Sequence, residues 1–246
     1  MLVVADGPDP ATADVAQRFG ASLIELPTTR GANAARNAAI AAISTEVVVF
    51  IDDDVAVQRE WLSAMLAGIA ATPDRDVFGG PIRARLEGGG PRACGREQAP
   101  ITTLDYGTED RDVRLVWSAN MGIRTRAFER VGPFDETIFV RGDEEDWQRR
   151  YAACGGRIRY LARAGLDHRR TPEDSTIASL ARAAYGHGRA ARRYDIRKGA
   201  APSLLRELRV LAGCCWHTVR RRCAFGIVMG AQAAGRLREA LADLAR

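Results

Sequence analysis

The stretch VVVFIDDDV, residues 47–55, decides the fold. Val47 to Ile51 form an unbroken apolar run, rich in β-branched residues and too short for a helix. Such a run reads as a strand buried in a parallel sheet. Asp52, Asp53 and Asp54 follow at once. In open α/β sheets, ligands bind where the strands end at their carboxyl termini. Residues two apart on an extended chain point the same way, so Asp52 and Asp54 are able to face one ion together. Three adjacent carboxylates repel one another unless a cation is near, and oxygen ligands suit Mg²⁺ or Mn²⁺. The competing reading is a solvated acidic turn in which Asp54 caps a following helix.

Outward from this stretch, strands and helices alternate. LVVAD (2–6) reads as a strand broken by Gly7, Pro8, Asp9 and Pro10. A helix through Val15 and Phe19 stops at Gly20. ASLIEL (21–26) reads as a second strand, and the alanine-rich stretch from Gly31 to Ile43 as a helix. Residues 60–71 show helical spacing of Trp61, Leu62, Met65, Leu66 and Ile69. A strand is expected over 77–86. Glu87 to Asp112 forms a long connection rich in Gly, Pro and charge, of the kind often used functionally. Short helices are expected over 125–131 and 144–153, then IRYL (158–161) and a run ending at His168. This alternation defines a doubly wound α/β class. From Pro172 the pattern becomes helical and Arg-rich, with helices expected near 174–194, 203–222 and 224–244.

The chain has 246 residues, 46% hydrophobic and 27% charged, with formal net charge +5. That composition belongs to a globular chain with a core. Lys198 is the only lysine. Arginine forks suit phosphates and acidic headgroups, although coding composition explains an arginine bias equally well. The cysteines Cys94, Cys154, Cys214, Cys215 and Cys223 are odd in number and include no CxxC pair. A zinc site or a disulfide framework is therefore not expected, and a reducing compartment is. No charged-then-apolar leader and no long uncharged apolar run is present.

Asp143, Glu144, Glu145 and Asp146 form a second acidic cluster that opens a helix. The helix dipole alone favours acids there. Two clusters at two element boundaries also fit a division of labour, one holding a metal and one supplying a general base. His168, in LDHRR, is either structural or an imidazole partner for carboxylates around Mn²⁺. Arg36 and Asn37 lie on the alanine-rich helix. Arg36 either reaches a phosphate or is a surface arginine.

These pieces occur in an order that resembles family 2 glycosyltransferases of the GT-A fold, from residue 2 to about 170. LVVADGPDP is similar to the family's second strand, which makes Asp6 the acid that contacts the nucleobase. RGANAARNAAI (30–40) is similar to the Gly-x-x-x-Ala-Arg-Asn-x-Gly segment, with Arg36 and Asn37 in the matching places. IDDD matches the DxD motif, with Asp52 and Asp53 toward the donor, Asp52 and Asp54 toward the metal, and Asp54 the direct ligand. WSANMGIRTRAFERVGPFDE (117–136) resembles the segment that shapes the donor-sugar and acceptor site, which places Trp117 and Asn120 there. GDEEDWQRR (142–150) resembles Gly-Glu-Asp-x-Asp-Leu-x-x-Arg, making Glu144 the general base and Asp143 the fallback. His168 falls where the family often has a metal-binding histidine. The family's first strand and helix have no counterpart, so in the order 3-2-1-4 a strand is expected missing between LVVAD and VVVFI.

The resemblance implies a GT-A (Rossmann-like) catalytic domain over 1–171, N-terminally truncated, followed by an Arg-rich helical extension over 172–246. It implies inverting, Mn²⁺- or Mg²⁺-dependent transfer from a nucleotide-diphospho-sugar donor to a glycan or lipid-linked acceptor. The expected location is cytoplasmic, with peripheral membrane association as an option. Leu204, Leu205, Leu208, Leu211 and Trp216 with nearby arginines either lie on an anionic membrane surface or pack on the catalytic domain or a homodimer partner. Competing classes are a non-catalytic GT-A-like binding module and a nucleotidyltransferase. Nucleic-acid binding is not expected, because the basic residues carry no reading motif.

Overall fold

The computed structural model describes residues 1–91, 94–95, 102–138 and 142–244. Part of the long connection between Glu87 and Asp112 thus lies outside the described residues. The elements run β1 (Leu2–Ala5), α1 (Pro10–Arg18), β2 (Ser22–Glu25), α2 (Ala32–Ala42), β3 (Val47–Ile51), β4 (Val55–Val57), α3 (Trp61–Ala71), β5 (Val77–Gly79) and β6 (Ile82–Leu86). They continue with β7 (Arg111–Val113), β8 (Asn120–Arg124), α4 (Arg126–Val131), α5 (Asp143–Ala153), β9 (Ile158–Tyr160), β10 (Leu166–Arg170), α6 (Ile177–Arg197), α7 (Leu204–Arg221) and α8 (Phe225–Leu244). Two compact units result: Met1–Ile82 with Leu104–Leu166, and Arg83–Thr103 with Asp167–Arg246.

In the first unit, β1 and β2 pair in parallel as a sheet of their own. A second sheet has the order β3-β8-β5-β9-β7. LVVAD and VVVFI therefore do not pair, as the family order predicts for these two strands. The expectation of a parallel setting for β3 needs correction. β3 pairs antiparallel with β8, and its residues are half-buried or exposed. β8 is buried along its whole length, as is β5, with which it also pairs antiparallel. Only β5 and β9 run parallel in this sheet, so it is mixed. The single strand expected over 77–86 breaks at Gly80 and Pro81. A Cβ at Gly80 would sit 1.9 Å from the Ala164 carbonyl oxygen, so only glycine allows that approach.

Helix α3 buries Trp61, Met65 and Ile69, one residue per turn. These pack with Phe78, Met121 and Ile123 from the sheet and with Trp147 and Tyr151 from α5. The rings of Phe128, Phe134, Trp147 and Tyr151 form a continuous series, Trp147 stacking on Tyr151 at 5.7 Å. The indole Nε1 of Trp147 donates to the Gly132 carbonyl at 2.8 Å. This cluster fixes the axis of α5 and the height at which its first turn meets the sheet.

The second unit is largely helical, with β6 and β10 neighbours in its sheet. Leu180, Ala184, Cys223, Phe225 and Val228 make its buried cluster. Many arginines here are structural. Arg189 and Arg193 of α6 bind Glu239 of α8 at 2.6 and 2.7 Å. The Arg193 hydrogen bond, reinforced by Arg189 against the opposing effect of burial, holds the Glu239 carboxyl down at about 2. Arg236 of α8 bridges Asp195 and Glu207 at 2.7 and 2.8 Å. Helices α6 and α8 cross at backbone contact. A Cβ at Gly188 would lie 2.0 Å from the Gln232 carbonyl oxygen, and one at Gly235 would lie 2.1 Å from that of Tyr185.

Alanine in a helix interior ordinarily gains up to about 1 kcal/mol over glycine. At Gly188 the sign reverses, because the backbone of α8 has no room to yield. Gly188→Ala is expected to lower stability by about 1–3 kcal/mol, measured as a fall in denaturation midpoint. An unchanged or higher midpoint contradicts the crossing.

Candidate active site

Helix α2 begins at Gly31, whose φ of 91° is a glycine conformation. The Asp6 carboxylate, just beyond β1, accepts from the backbone N–H groups of Arg30 and Gly31 at 2.7 and 2.9 Å. Asp6 thus holds the entry to α2, and each of its oxygens retains further acceptor capacity. One turn into α2 stands Arg36. Its Nη1 donates to Asn33 at 2.8 Å and to the Asp143 carboxylate at 2.6 Å, and its Nη2 donates to the Ser118 hydroxyl at 2.6 Å. The guanidinium also lies 5.6 Å from the Phe134 ring centroid. Its side chain and that of Asp143 are both 11% exposed, so Arg36 is not a solvated surface arginine. Asn37 exchanges two hydrogen bonds with the Phe134 backbone and donates to Glu136. It braces the loop before α5.

Gly142, in the left-handed conformation, starts α5, and Asp143 and Glu144 occupy its first turn, both buried. Burial alone pushes the Asp143 carboxyl up. The hydrogen bond with Glu144 and the Arg36 guanidinium outweigh this and hold it below the usual carboxylate range. Glu144 moves the other way. Burial, joined by the hydrogen bond and charge of Asp143, raises it well above its ordinary value of 4.5. Of the two neighbouring carboxyls, Glu144 is therefore the one that holds a proton more tightly. Gln148, one turn on, binds both the N–H and the carbonyl of Val116, at 2.9 and 2.8 Å. The first turn of α5 is thereby fixed to the segment that carries Val116, Trp117 and Ser118.

Asp52 is half-buried, and Asp53 and Asp54 are exposed, directly after β3. Asp52 and Asp54 each offer a carboxylate oxygen within 4.8 Å of the other's. The capping alternative fails, because the chain enters β4 after Asp54 and the next helix is capped at Glu60. The two acidic groups gather at one end of the sheet. Ile51 pairs with Asn120, Ser118 stands two residues before Asn120, and Ser118 and Asp143 share Arg36.

Trp117 is half-buried against the core at this end. Asn120, assigned by the resemblance to the donor site, is fully buried, its Oδ1 accepts from Trp61 Nε1 at 2.9 Å, and its Nδ2 donates to the Ala164 carbonyl at 2.7 Å, which ties α3 to the sheet. His168 is buried on β10 in the second unit. Asn33, Ser118 and Gln148 were not singled out in the sequence. Asn33 had a signal, since it sits one turn before Arg36 on the same helix face. Ser118 had none, its partner Arg36 being 82 residues away.

The fold and the paired carboxylates at the strand end define a GT-A-type α/β unit. The glycosyl transferase family 2 model matches residues 1–132, and the chain belongs to that family. Pre-mycofactocin glycosyltransferases from two strains of Mycobacterium tuberculosis are 33% identical over 202 residues, covering 78% of this chain and 41% of theirs. The chain thus spans about two fifths of the length of these curated relatives. Among solved structures, the mannosyltransferase PcManGT from Pyrobaculum calidifontis, in complex with GDP-Man and Mn²⁺, has a TM-score of 0.56 at 17% identity. That likeness covers 99% of this chain and 64% of that one. GalNAc-T7 with UDP, GalNAc and Mn²⁺ has a TM-score of 0.55 at 14% identity, covering 75% and 40%. These likenesses show the fold.

The raised Glu144 carboxyl has a stability consequence. An unfolded glutamate ionises near 4.5, whereas Glu144 resists ionisation in the folded chain. Folding stability is therefore lost as pH rises from about 4.5 through the folded value. Glu144→Gln does not ionise. Its stability relative to the parent is expected to improve between pH 5 and pH 8 in chemical denaturation. A gap independent of pH contradicts the burial of an ionisable Glu144.

Proposed function

We propose that this chain carries a catalytic domain over 1–171 that moves a sugar from a nucleotide-diphospho-sugar to an acceptor hydroxyl, with inversion, followed by a helical extension over 172–246. The observation that carries this reading is the Asp143–Glu144 pair under Arg36, gathered at the same sheet end as Asp52 and Asp54. Family membership supports sugar transfer. The nucleotide sugar and nucleotide held by PcManGT and GalNAc-T7 support a nucleotide-linked donor.

The donor set fits a hard divalent cation, Mn²⁺ or Mg²⁺. Asp52 and Asp54 supply carboxylate oxygens close to one another, and oxygen ligands suit such ions. The motif order supports His168 as a third ligand. When bound, the cation neutralises charge on the leaving diphosphate. Asp53 and Trp117 border this end of the sheet and are assigned to the donor, with Asp6 toward the nucleobase.

Glu144 is the general base. Burial and the neighbouring Asp143 carboxyl raise Glu144 while Arg36 helps to lower Asp143, so the Glu144 carboxylate, once ionised, is the stronger base of the pair. A base with an elevated pKa takes a hydroxyl proton more effectively than an ordinary carboxylate. Asp143 positions it and is the fallback base. Arg36 and Asn37 act through the loops and carboxyls they hold.

Glu144→Gln is expected to lower turnover about 10²–10⁴-fold while nucleotide-sugar affinity stays within a few-fold, measured by radiolabelled transfer and calorimetry. Near-parental turnover rejects the assignment. Chelator treatment is expected to abolish transfer, and Mn²⁺ or Mg²⁺ to restore it. His168→Ala is expected to raise the cation concentration needed, and chelator-resistant transfer rejects the metal role.

The acceptor reading draws on α7. Leu205, Leu208, Trp216 and Val219 fall on one helix face and are 45–77% exposed, beside Arg206, Arg209 and Arg220. An apolar stripe flanked by arginines suits the interface of an anionic membrane, where lipid-linked acceptors reside. No helix among the described residues is long and apolar enough to cross a membrane, and the contact proposed for α7 is a peripheral one. Sedimentation with anionic vesicles is expected to carry the chain down, and Trp216→Ser with Leu205→Ser to weaken this. Failure to bind anionic vesicles removes the membrane surface.

A further inference from the structure

The cysteine spacing gave no sign of a metal site, yet the folded second unit brings Cys94, His217 and Cys223 together. One ligand atom from each lies within 4.8 Å of the others. Cys94 Sγ and His217 Nε2 are 3.3 Å apart. In a tetrahedral zinc centre, sulfur–nitrogen edges are about 3.5 Å and sulfur–sulfur edges about 3.8 Å, as the bond lengths require. The trio needs to close by at most about 1 Å at its widest separation to meet that geometry.

We propose that Cys94, His217 and Cys223 form a zinc site that ties Cys94 to the end of α7. Local backbone supports the convergence. Arg222, which ends α7, has φ 48°, the only positive value at a non-glycine among the described residues. This left-handed turn reverses the chain, and the Cys223 N–H donates to the carbonyl of Thr218, the residue after His217. Cys223 is thus returned to the helix end it has just left. Gly95, with φ 79°, follows Cys94.

The chemistry of the trio selects the ion. Two thiolates and an imidazole are soft to borderline donors, which favour Zn²⁺ over Mn²⁺ or Mg²⁺. Two thiolates balance the charge of one Zn²⁺, so the loaded site is neutral. Cys223 is buried, His217 half-buried and Cys94 exposed, leaving a solvent-side approach for the ion and a fourth position for water. This set is distinct in residues and donor type from the carboxylates at Asp52 and Asp54.

The test uses the full chain, reduced and stripped of metal, titrated with Co²⁺ as a spectroscopic probe and with Zn²⁺ in competition. The expected result is one equivalent of tetrahedral Co²⁺ with thiolate-to-metal charge transfer, displaced by Zn²⁺. The band is expected to vanish in Cys94→Ser. In His217→Ala, zinc affinity should fall by at least about 100-fold, beyond what loss of a supporting partner costs. Cys94 is exposed, so its variant tests the site without disturbing the core as Cys223→Ser would. Retention of the band in Cys215→Ser, and in the Asp52→Asn, Asp54→Asn double variant, assigns it to this trio. Absence of thiolate charge transfer in the reduced parent overturns the site, as does its survival in Cys94→Ser. Recovery of a Cys94–Cys223 disulfide from a chain that takes up no metal when reduced also overturns it.

Discussion

The Arg36–Asp143 ion pair is the constraint on which the candidate active site depends. A buried guanidinium is costly to desolvate and is tolerated only when its donors are satisfied. Here Asn33, Ser118 and Asp143 take hydrogen bonds and Phe134 offers its ring face. These partners come from α2, the turn before β8, the loop before α5 and α5 itself. One side chain therefore fixes the relative placement of four chain segments. It also fixes charge. By helping to lower Asp143 it makes Asp143 the weaker proton acceptor and leaves the neighbouring Glu144 as the more basic of the two. Packing and acid–base chemistry share a single cause.

The second unit solves a related problem with the same residue type. Helices α6, α7 and α8 carry many arginines, and burying their acidic partners Glu207 and Glu239 joins the helices in specific registers. Glycines at 188 and 235 then admit backbone contact between α6 and α8. The inner faces are committed by ion pairs and close crossings. The outer face of α7 is committed to neither, and its exposed leucines and Trp216 remain beside Arg206, Arg209 and Arg220. Arginine enrichment that looked like a phosphate-binding signature is, for the inner residues, a packing device.

What the sequence revealed depended on whether a residue's partners were local. The helices α2, α3 and α5 through α8 were legible from periodicity and terminal glycines, and β3 from its apolar run. β8 was not legible. Its sequence NMGIR contains two polar residues, yet it is buried along its length. Asn120 is satisfied by Trp61 and Ala164, and Arg124 by Glu46 and the carbonyls of Ile69 and Arg75. Such long-range satisfaction leaves no periodic trace. The antiparallel setting of β3 was missed for the same reason, since its partner was unseen. Asp52 and Asp54 were legible because strand-end position is local information. The burial of Arg36 was not, because its decisive partner lies 107 residues away.

The acidic run at the start of α5 shows how one motif divides its work. The helix dipole favours anions in a first turn and is a sufficient account of Glu145 and Asp146, which are half-buried. Asp146 also pairs with Arg150 one turn on, at 3.0 Å. The dipole is no account of Asp143 and Glu144, since nothing in it calls for their burial. Helical geometry places adjacent residues about 100° apart, so a run of four acids must point around the axis, two toward the sheet and two away. The inward pair meets one arginine, and one cation offsets only one carboxylate. The other is left as the more basic carboxyl, whose ionised form is the better acceptor of a hydroxyl proton. A glutamate there reaches one methylene further than an aspartate from the same helical position, yet it stays within reach of Asp143 and of the Arg36 charge.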